Sequence, residues 1–135
     1  MSTAVDTKEG KLILDSHKLS YHMDRVQAWE SGERIAPISV DMALTRACGA
    51  MCTFCYAMVQ ESQERSSVRT PVALKLVEDF ERLGIRSVSL VSDGESTLSP
   101  AYVPFIKHAY DAGIDVGNGT NGWEWEPEKI EQVLP

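Results

Sequence analysis

Three prolines recur at even spacing through the second half of the chain and divide it into a repeating pattern. Thr70-Pro71, Ser99-Pro100 and Glu126-Pro127 each indicate a helix start, because proline fits the first helical position and Thr or Ser suits the cap before it. Gly84 and Gly113 mark the ends of the first two helices, since glycine readily takes the left-handed conformation that closes a helix. The positions of these prolines and glycines alone therefore predict three helices.

Hydrophobic periodicity supports those helices and places strands between them. Apolar residues recur at helical spacing in two sets, Ala73, Leu76, Val77 and Phe80, and Tyr102, Phe105, Ile106 and Ala109. Short β-rich runs precede the helices at residues 38–44, 87–91 and 114–116. Regular alternation of strand and helix predicts parallel strands with right-handed crossovers. A repeat of this length suits either a TIM-like barrel or an open doubly wound sheet.

The residues before the first predicted strand form a separate N-terminal extension, residues 1–35. Leu12 to Leu14 predict a short strand there, and Ser20 to Glu30 predict a helix. Met23 and Val26 are expected to face inward from that helix, since they are three residues apart. The extension is therefore expected to hold one short strand and one helix.

Residues 36–135 hold the three predicted βα units. Three parallel strands cannot close a barrel, and they leave an exposed sheet edge. The chain is therefore expected to be a fragment of a longer protein or to complete its sheet in an oligomer.

The overall charge argues against polyanionic partners. The formal net charge is −7 and the isoelectric point is about 4.9, so no general attraction to nucleic acid or anionic membranes is expected. No apolar run approaches the length needed to cross a bilayer. The polar N-terminus lacks the apolar stretch of a secretory signal, which predicts a cytoplasmic protein.

The cysteines are the strongest chemical signal. Cys48, Cys52 and Cys55 are the chain's only cysteines, and they form a C-x3-C-x2-C motif directly after the first predicted strand. Functional sites of βα folds gather at that end of the strands. Three thiolates can hold three irons of a cubane cluster. The fourth iron is then left for an exogenous ligand, an open position of the kind that catalytic metal sites keep.

Other readings of the cysteine cluster remain open at this point. Structural zinc would need a fourth ligand from His17, His22 or His108, because the chain has no second cysteine pair. A small electron-transfer or cluster-carrying protein could use the same loop. Three unrelated buried cysteines are disfavoured by their clustering.

The loops after the second and third strands carry polar candidates. Asp93-Gly94-Glu95 follows the second strand, where Gly94 would allow close approach of a ligand and Glu95 could pair with an ammonium group. An ordinary βα loop is the alternative. The third loop, Gly117 to Gly122, is rich in turn formers. Its spacing matches neither the dinucleotide fingerprint nor the P-loop.

Taken together, the motifs resemble those of the radical SAM superfamily. Cys48-x3-Cys52-x-Phe54-Cys55 resembles its cluster signature. The resemblance implies that these cysteines bind a 4Fe–4S cluster, that S-adenosylmethionine (SAM) chelates the fourth iron, and that Phe54 lies by the adenine. Asp93-Gly94-Glu95 resembles the family's GGE motif, which holds the SAM amino group, with Asp93 in place of the first glycine. Thr120 and Asn121 resemble a TNG segment and are implied contacts to SAM or substrate.

The resemblance also implies a fold and a reaction. The α/β fold would be a partial TIM-like (β/α) barrel with parallel strands, with about three βα units of an expected six. Residues 36–135 would form the N-terminal half of the core domain. The implied enzyme reductively cleaves SAM to a 5′-deoxyadenosyl radical, with Cys48, Cys52 and Cys55 as catalytic metal ligands. It takes electrons from a donor such as a flavodoxin or ferredoxin and acts on a small-molecule or peptide substrate. The isolated fragment is expected to turn over slowly or not at all.

Overall fold

The structure is a computed structural model that describes residues 3–7, 10–14, 18–58, 66–91 and 93–134. The chain divides into two units, Met1–Ile35 and Ala36–Pro135. None of the helices in the described ranges has both the length and the hydrophobicity needed to span a membrane.

The first unit contains a β-hairpin and a short helix. Strands β1 (Thr3–Thr7) and β2 (Gly10–Leu14) pair antiparallel. A 3-10 turn at Lys18–Tyr21 precedes helix α1 (Met23–Glu30). The strand expected at Leu12 to Leu14 lies within β2, whereas β1 was not expected. Met23, the first residue of α1, is 47% exposed rather than inward-facing.

The second unit alternates strand and helix as the sequence predicts. Its elements are β3 (Ser39–Asp41), α2 (Thr70–Leu83), β4 (Ser87–Leu90), α3 (Tyr102–Asp111), β5 (Asp115–Asn118) and α4 (Pro127–Val133). The three strands form one parallel sheet in the order β3-β4-β5. Val40, Val88 and Val116 lie in register across it. The carboxyl ends of all three strands therefore meet at one edge.

The helix starts and stops predicted from proline and glycine match most of the observed helix ends. Pro71 and Pro127 lie at the starts of α2 and α4, and Gly84 closes α2 in the left-handed conformation. Helix α3 begins two residues after Pro100, because Ser99 Oγ first accepts a hydrogen bond from the N–H of Ala101 (3.2 Å). These differences lie within the usual uncertainty of helix ends.

Strand β3 is shorter than the predicted run 38–44. Met42 still donates its N–H to Ser89 O (2.9 Å), but Leu44 O accepts from Val68 N (2.9 Å) instead of from β4. The chain thus leaves the sheet to pair with the segment before α2, and Leu44 is fully buried there. This departure gives the following loop its direction.

Helices α2, α3 and α4 pack on the same face of the sheet. That face holds the core, which includes Val88 and Leu90 of β4, Val77 and Phe80 of α2, and Phe105 of α3. Strand side chains alternate between faces. The opposite face therefore carries small and polar residues that are exposed or half-buried, namely Ser39, Asp41, Ser87, Ser89, Asp115 and Gly117.

Candidate active site

The cysteine loop has a rigid base. Thr45 is buried, and its Oγ1 lies 2.6 Å from the Ser67 hydroxyl. The same oxygen accepts a hydrogen bond from Ala47 N (3.1 Å), and Arg46 N donates to Ser66 O (2.9 Å). The backbone is thus fixed immediately before Cys48, at the carboxyl edge of the sheet.

The three thiols are free and half-buried. Cys48 Sγ lies 3.6 Å from Ala50 O, and Cys55 N donates to Cys52 O (3.1 Å), which forms a turn between the last two cysteines. Phe54 is 88% exposed. Among the described residues, no three Cys, His, Asp or Glu side chains converge as metal ligands. The donor set suits iron nonetheless, since three thiolates lie on one accessible loop and thiolates are the usual ligands of iron–sulfur clusters.

Of the histidines considered as zinc ligands, only His108 lies in the described part of the second unit. His17 falls outside the described residues, and His22 belongs to the first unit. His108 lies in the last turn of α3, which leads into the start of β5. His108 therefore lies near the amino ends of the strands, whereas the cysteine loop follows the carboxyl end of β3.

The loop after β4 packs directly on the base of the cysteine loop. Gly94 has φ +80°, and a Cβ added there would clash with Thr45 O, with Arg46 C (2.7 Å) and with Ala47 O (2.8 Å). Glu95 N donates to Ala47 O (2.8 Å), and Asp93 pairs with Arg46 (Oδ2 to Nε, 3.5 Å). The close approach that Gly94 permits is thus to the chain's own backbone.

Glu95 is a buried carboxylate whose two oxygens are both hydrogen-bonded. It is 2% exposed. Oε1 accepts from Thr97 Oγ1 (2.8 Å) and Thr97 N (3.3 Å), and Oε2 accepts from Asn121 N (2.7 Å). Burial raises the pKa of Glu95, but hydrogen bonds from Asn121, Thr97 and Thr120 outweigh it and bring the pKa below its ordinary value. Glu95 is therefore an anion at neutral pH.

Burial and the negative charge of Glu95 affect the pKa of Tyr102. Burial, together with the negative charge of Glu95, raises the pKa of Tyr102 to about 12. Its ring packs edge-on against Trp125, with the centroids 6.0 Å apart. The phenol therefore stays neutral beneath the site.

The loop after β5 joins the other two loops. Thr120 Oγ1 accepts from Gly122 N and from Trp125 Nε1, each at 3.1 Å. Asn121 reaches further, since its backbone N–H binds Glu95 and its side-chain Nδ2 donates to Cys48 Sγ at 3.7 Å. Cys48, Glu95 and Asn121, predicted from three separate loops, are thus brought together.

One lysine that was not predicted from the sequence forms hydrogen bonds to two of these loops. Lys129 Nζ in α4 donates to Thr97 O (3.1 Å) and to Glu124 O (2.9 Å). Asn118, the last residue of β5, was not predicted either. Both polar side-chain atoms of Asn118 are buried without a partner among the described residues. Nothing in the local sequence distinguishes Lys129 from a solvated helix lysine, whereas an amide closing a strand is a weak signal for Asn118.

Comparison with known proteins gives one sequence relative and a group of structural relatives. No protein-family model matches the chain. The chain is 26% identical over 98 residues to an AdoMet-dependent heme synthase from Methanosarcina barkeri, a match covering 73% of the chain and 28% of the relative. The chain thus spans well under a third of the length of that relative.

The structural relatives include two crystal structures of Streptococcus suis SuiB. The one bound to S-adenosylmethionine gives a TM-score of 0.64 at 16% identity, covering 88% of this chain and 28% of that chain. The one bound to the precursor peptide SuiA gives 0.63 at 14% identity, covering 95% and 29%. At such identities the likeness establishes the fold, which confirms the predicted α/β class with parallel strands. These matches agree with the resemblance to the N-terminal half of a radical SAM core domain that the cysteine signature carries.

Proposed function

We propose that this chain is the cofactor-binding part of a radical SAM enzyme, with a 4Fe–4S cluster on Cys48, Cys52 and Cys55. One observation carries the proposal. The cysteine loop, the Glu95 loop and the Asn121 loop are hydrogen-bonded to one another at the carboxyl edge of parallel strands, where βα folds hold their reactive sites.

The cluster and SAM would supply the chemistry, and the chain would supply their placement. The chemistry is one-electron reduction of the SAM sulfonium, which releases methionine and a 5′-deoxyadenosyl radical. Phe54 is exposed enough to stack on the adenine. The anionic Glu95 gives the site a negative potential that favours the ammonium group of SAM.

The remaining loop residues have supporting parts in this proposal. Gly94 lets the Glu95 loop reach the cysteine loop, and Asp93 holds it there through Arg46. Thr120, which is exposed at the same edge, is a contact for SAM or substrate. The polar face of the sheet, opposite the helices, would form one wall of the reaction chamber.

The substrate class is proposed from two different relatives. The sequence relative is a heme synthase, and one structural relative binds a precursor peptide. We therefore propose that the substrate is either a small molecule or a peptide. An external donor such as a flavodoxin or ferredoxin would provide the electron. Three free thiols and an iron–sulfur cluster suit the reducing conditions of the cytoplasm.

The proposal is tested by anaerobic reconstitution of the 135-residue chain with iron and sulfide. We expect about four irons per chain, because three thiolates and one open iron define a cubane site. The electron paramagnetic resonance (EPR) spectrum of the reduced protein should change when SAM is added, and chromatography should detect 5′-deoxyadenosine. Cys48→Ser, Cys52→Ser and Cys55→Ser should each lose the intact cluster.

Thr53→Ala is the matched control, since Thr53 is an exposed residue of the same loop. It should keep the cluster and the response to SAM. A cluster indifferent to SAM would instead support an electron-transfer protein. A colourless protein with one tightly bound zinc would support a structural binding module.

A further inference from the structure

The side chain of Asn121 is oriented by the protein so that its N–H group faces sulfur. Its Oδ1 accepts a hydrogen bond from Trp123 N at 2.9 Å. An amide in the flipped orientation would lose this bond and would direct oxygen, not N–H, at Cys48. The Nδ2–H group is therefore left to point at Cys48 Sγ, 3.7 Å away.

The backbone around Asn121 is fixed as well. Asn121 N donates to the buried, anionic Glu95 at 2.7 Å, and a hydrogen bond to an ionised acceptor is among the stronger kinds. Lys129 of α4 donates hydrogen bonds to the carbonyls of Thr97 and Glu124. Thr97 lies near Glu95 in one loop, and Glu124 lies near Asn121 in the other. The donor thus keeps its position relative to Cys48 without help from a cofactor.

We propose that Asn121 raises the reduction potential of the cluster by donating an N–H···S hydrogen bond to Cys48, an inference that rests on the proposed function. Reduction adds one negative charge to the cluster and its thiolates. A donor aimed at a ligating sulfur stabilises the more negative state, and hydrogen bonds to sulfur are among the factors that set cluster potentials. Asn121 is thus a positioning residue that acts on the cluster through Cys48.

The first test compares reconstituted variants by mediated redox titration followed by EPR, without SAM. Asn121→Asp keeps the oxygen that accepts from Trp123 and replaces the donor with a second carboxylate oxygen. Asn121→Ala removes the donor together with the oxygen that accepts from Trp123. At a fixed poise, the ratio of reduced to oxidised cluster should fall roughly three- to tenfold in Asn121→Ala, and further in Asn121→Asp. A tenfold fall corresponds to about 59 mV for one electron.

Thr53→Ala is the matched control. Thr53 is an exposed residue of the cysteine loop itself, and its substitution leaves Asn121 and its contacts with Cys48 and Trp123 in place. Its ratio should stay within about twofold of the unmodified chain. Equal potentials in the unmodified chain and both Asn121 variants, or an equal shift in Thr53→Ala, would overturn the proposal.

A second measurement detects the hydrogen bond to the cluster in the unmodified chain. Pulsed EPR of the reduced chain labelled with ¹⁵N-asparagine should show a weak nitrogen coupling to the cluster. The chain contains two asparagines, Asn118 and Asn121, and the coupling should persist in Asn118→Ser. Absence of any coupling would overturn the inference.

Failure of the inference and failure of the proposed function give different results. Iron and sulfide content, with the SAM-induced spectral change, reports on the proposed function. If these are as expected while the potentials and couplings are not, only the role of Asn121 is rejected. If the unmodified chain assembles no cluster, both are rejected.

Discussion

At the scale of single residues, Gly94 is a point where two loops of the site pack closely. Its φ of +80° is a left-handed conformation, and the backbone of residues 45–47 fills the space where a side chain would begin. The requirement for glycine here has two separate causes, conformation and crowding, which can be measured apart.

Gly94→Ala should lower the free energy of unfolding by about 2–4 kcal/mol, because it combines left-handed strain with a clash against fixed backbone. Gly122→Ala is the control, since Gly122 has φ +81° and nothing within 4 Å of an added Cβ. It should cost only about 1–2 kcal/mol. Urea unfolding followed by tryptophan fluorescence measures both. Equal losses would mean that the loops do not touch as described.

At the scale of elements, α4 stabilises the site through one side chain. Lys129 places its ammonium between a carbonyl of the β4 loop and a carbonyl of the β5 loop. The helix thus helps to align Glu95 and Asn121 indirectly, because Lys129 binds other residues of their two loops.

Lys129→Met keeps most of the aliphatic stem and removes the donor. It should lower the free energy of unfolding by about 1–3 kcal/mol, since two carbonyls lose a charged partner. Hydrogen exchange at residues 95–98 and 119–124 should become faster. Lys107→Met, at an exposed position on α3, should leave exchange in these loops unchanged. The role assigned to Lys129 would be contradicted if both variants exchanged alike.

The elements also show what sequence pattern can and cannot specify. Helix starts at Pro71 and Pro127 and the stop at Gly84 follow from local backbone chemistry, so they were predictable. The early end of β3 was not, because Leu44 leaves the sheet to pair with Val68, and that partner is distant in sequence. Contacts of this kind depend on tertiary structure and leave no local periodicity.

At the scale of the whole molecule, two buried groups link stability to pH in opposite directions. The lowered pKa of Glu95 contributes stability above its ordinary value of 4.5, and this is lost as the pH falls below that value. The raised pKa of Tyr102 contributes stability below pH 10, and this is lost as the pH rises from 10 to about 12. The urea midpoint should therefore be highest between these limits.

Two substitutions test this pH profile. Glu95→Gln should flatten the acid side of the profile, and Tyr102→Phe should flatten the alkaline side. Asp79→Asn is the control. Hydrogen bonding to Lys75 also lowers the pKa of Asp79, but the pair lies on the surface and should contribute little. The assignment fails if the Asp79 variant changes the acid side as much as Glu95→Gln does.

Candidate residues of the site could be named from the sequence, but the contacts among them could not. The cysteine spacing and the family resemblance pointed to Cys48, Glu95 and Asn121. The sequence gives no sign that Glu95 would have both oxygens engaged by Thr97 and Asn121, or that Asn121 would face Cys48. Those contacts arise because parallel strands bring the three loops to one edge.

The hydrogen bonds that join the Glu95 and Asn121 loops to each other and to the cysteine loop are made within the chain. A frame assembled in this way has already lost most of its conformational entropy during folding. Little of the affinity for an incoming ligand is then spent on ordering these loops. The heat capacity change on binding should accordingly reflect the apolar surface that the ligand buries, and not the folding of a segment around it.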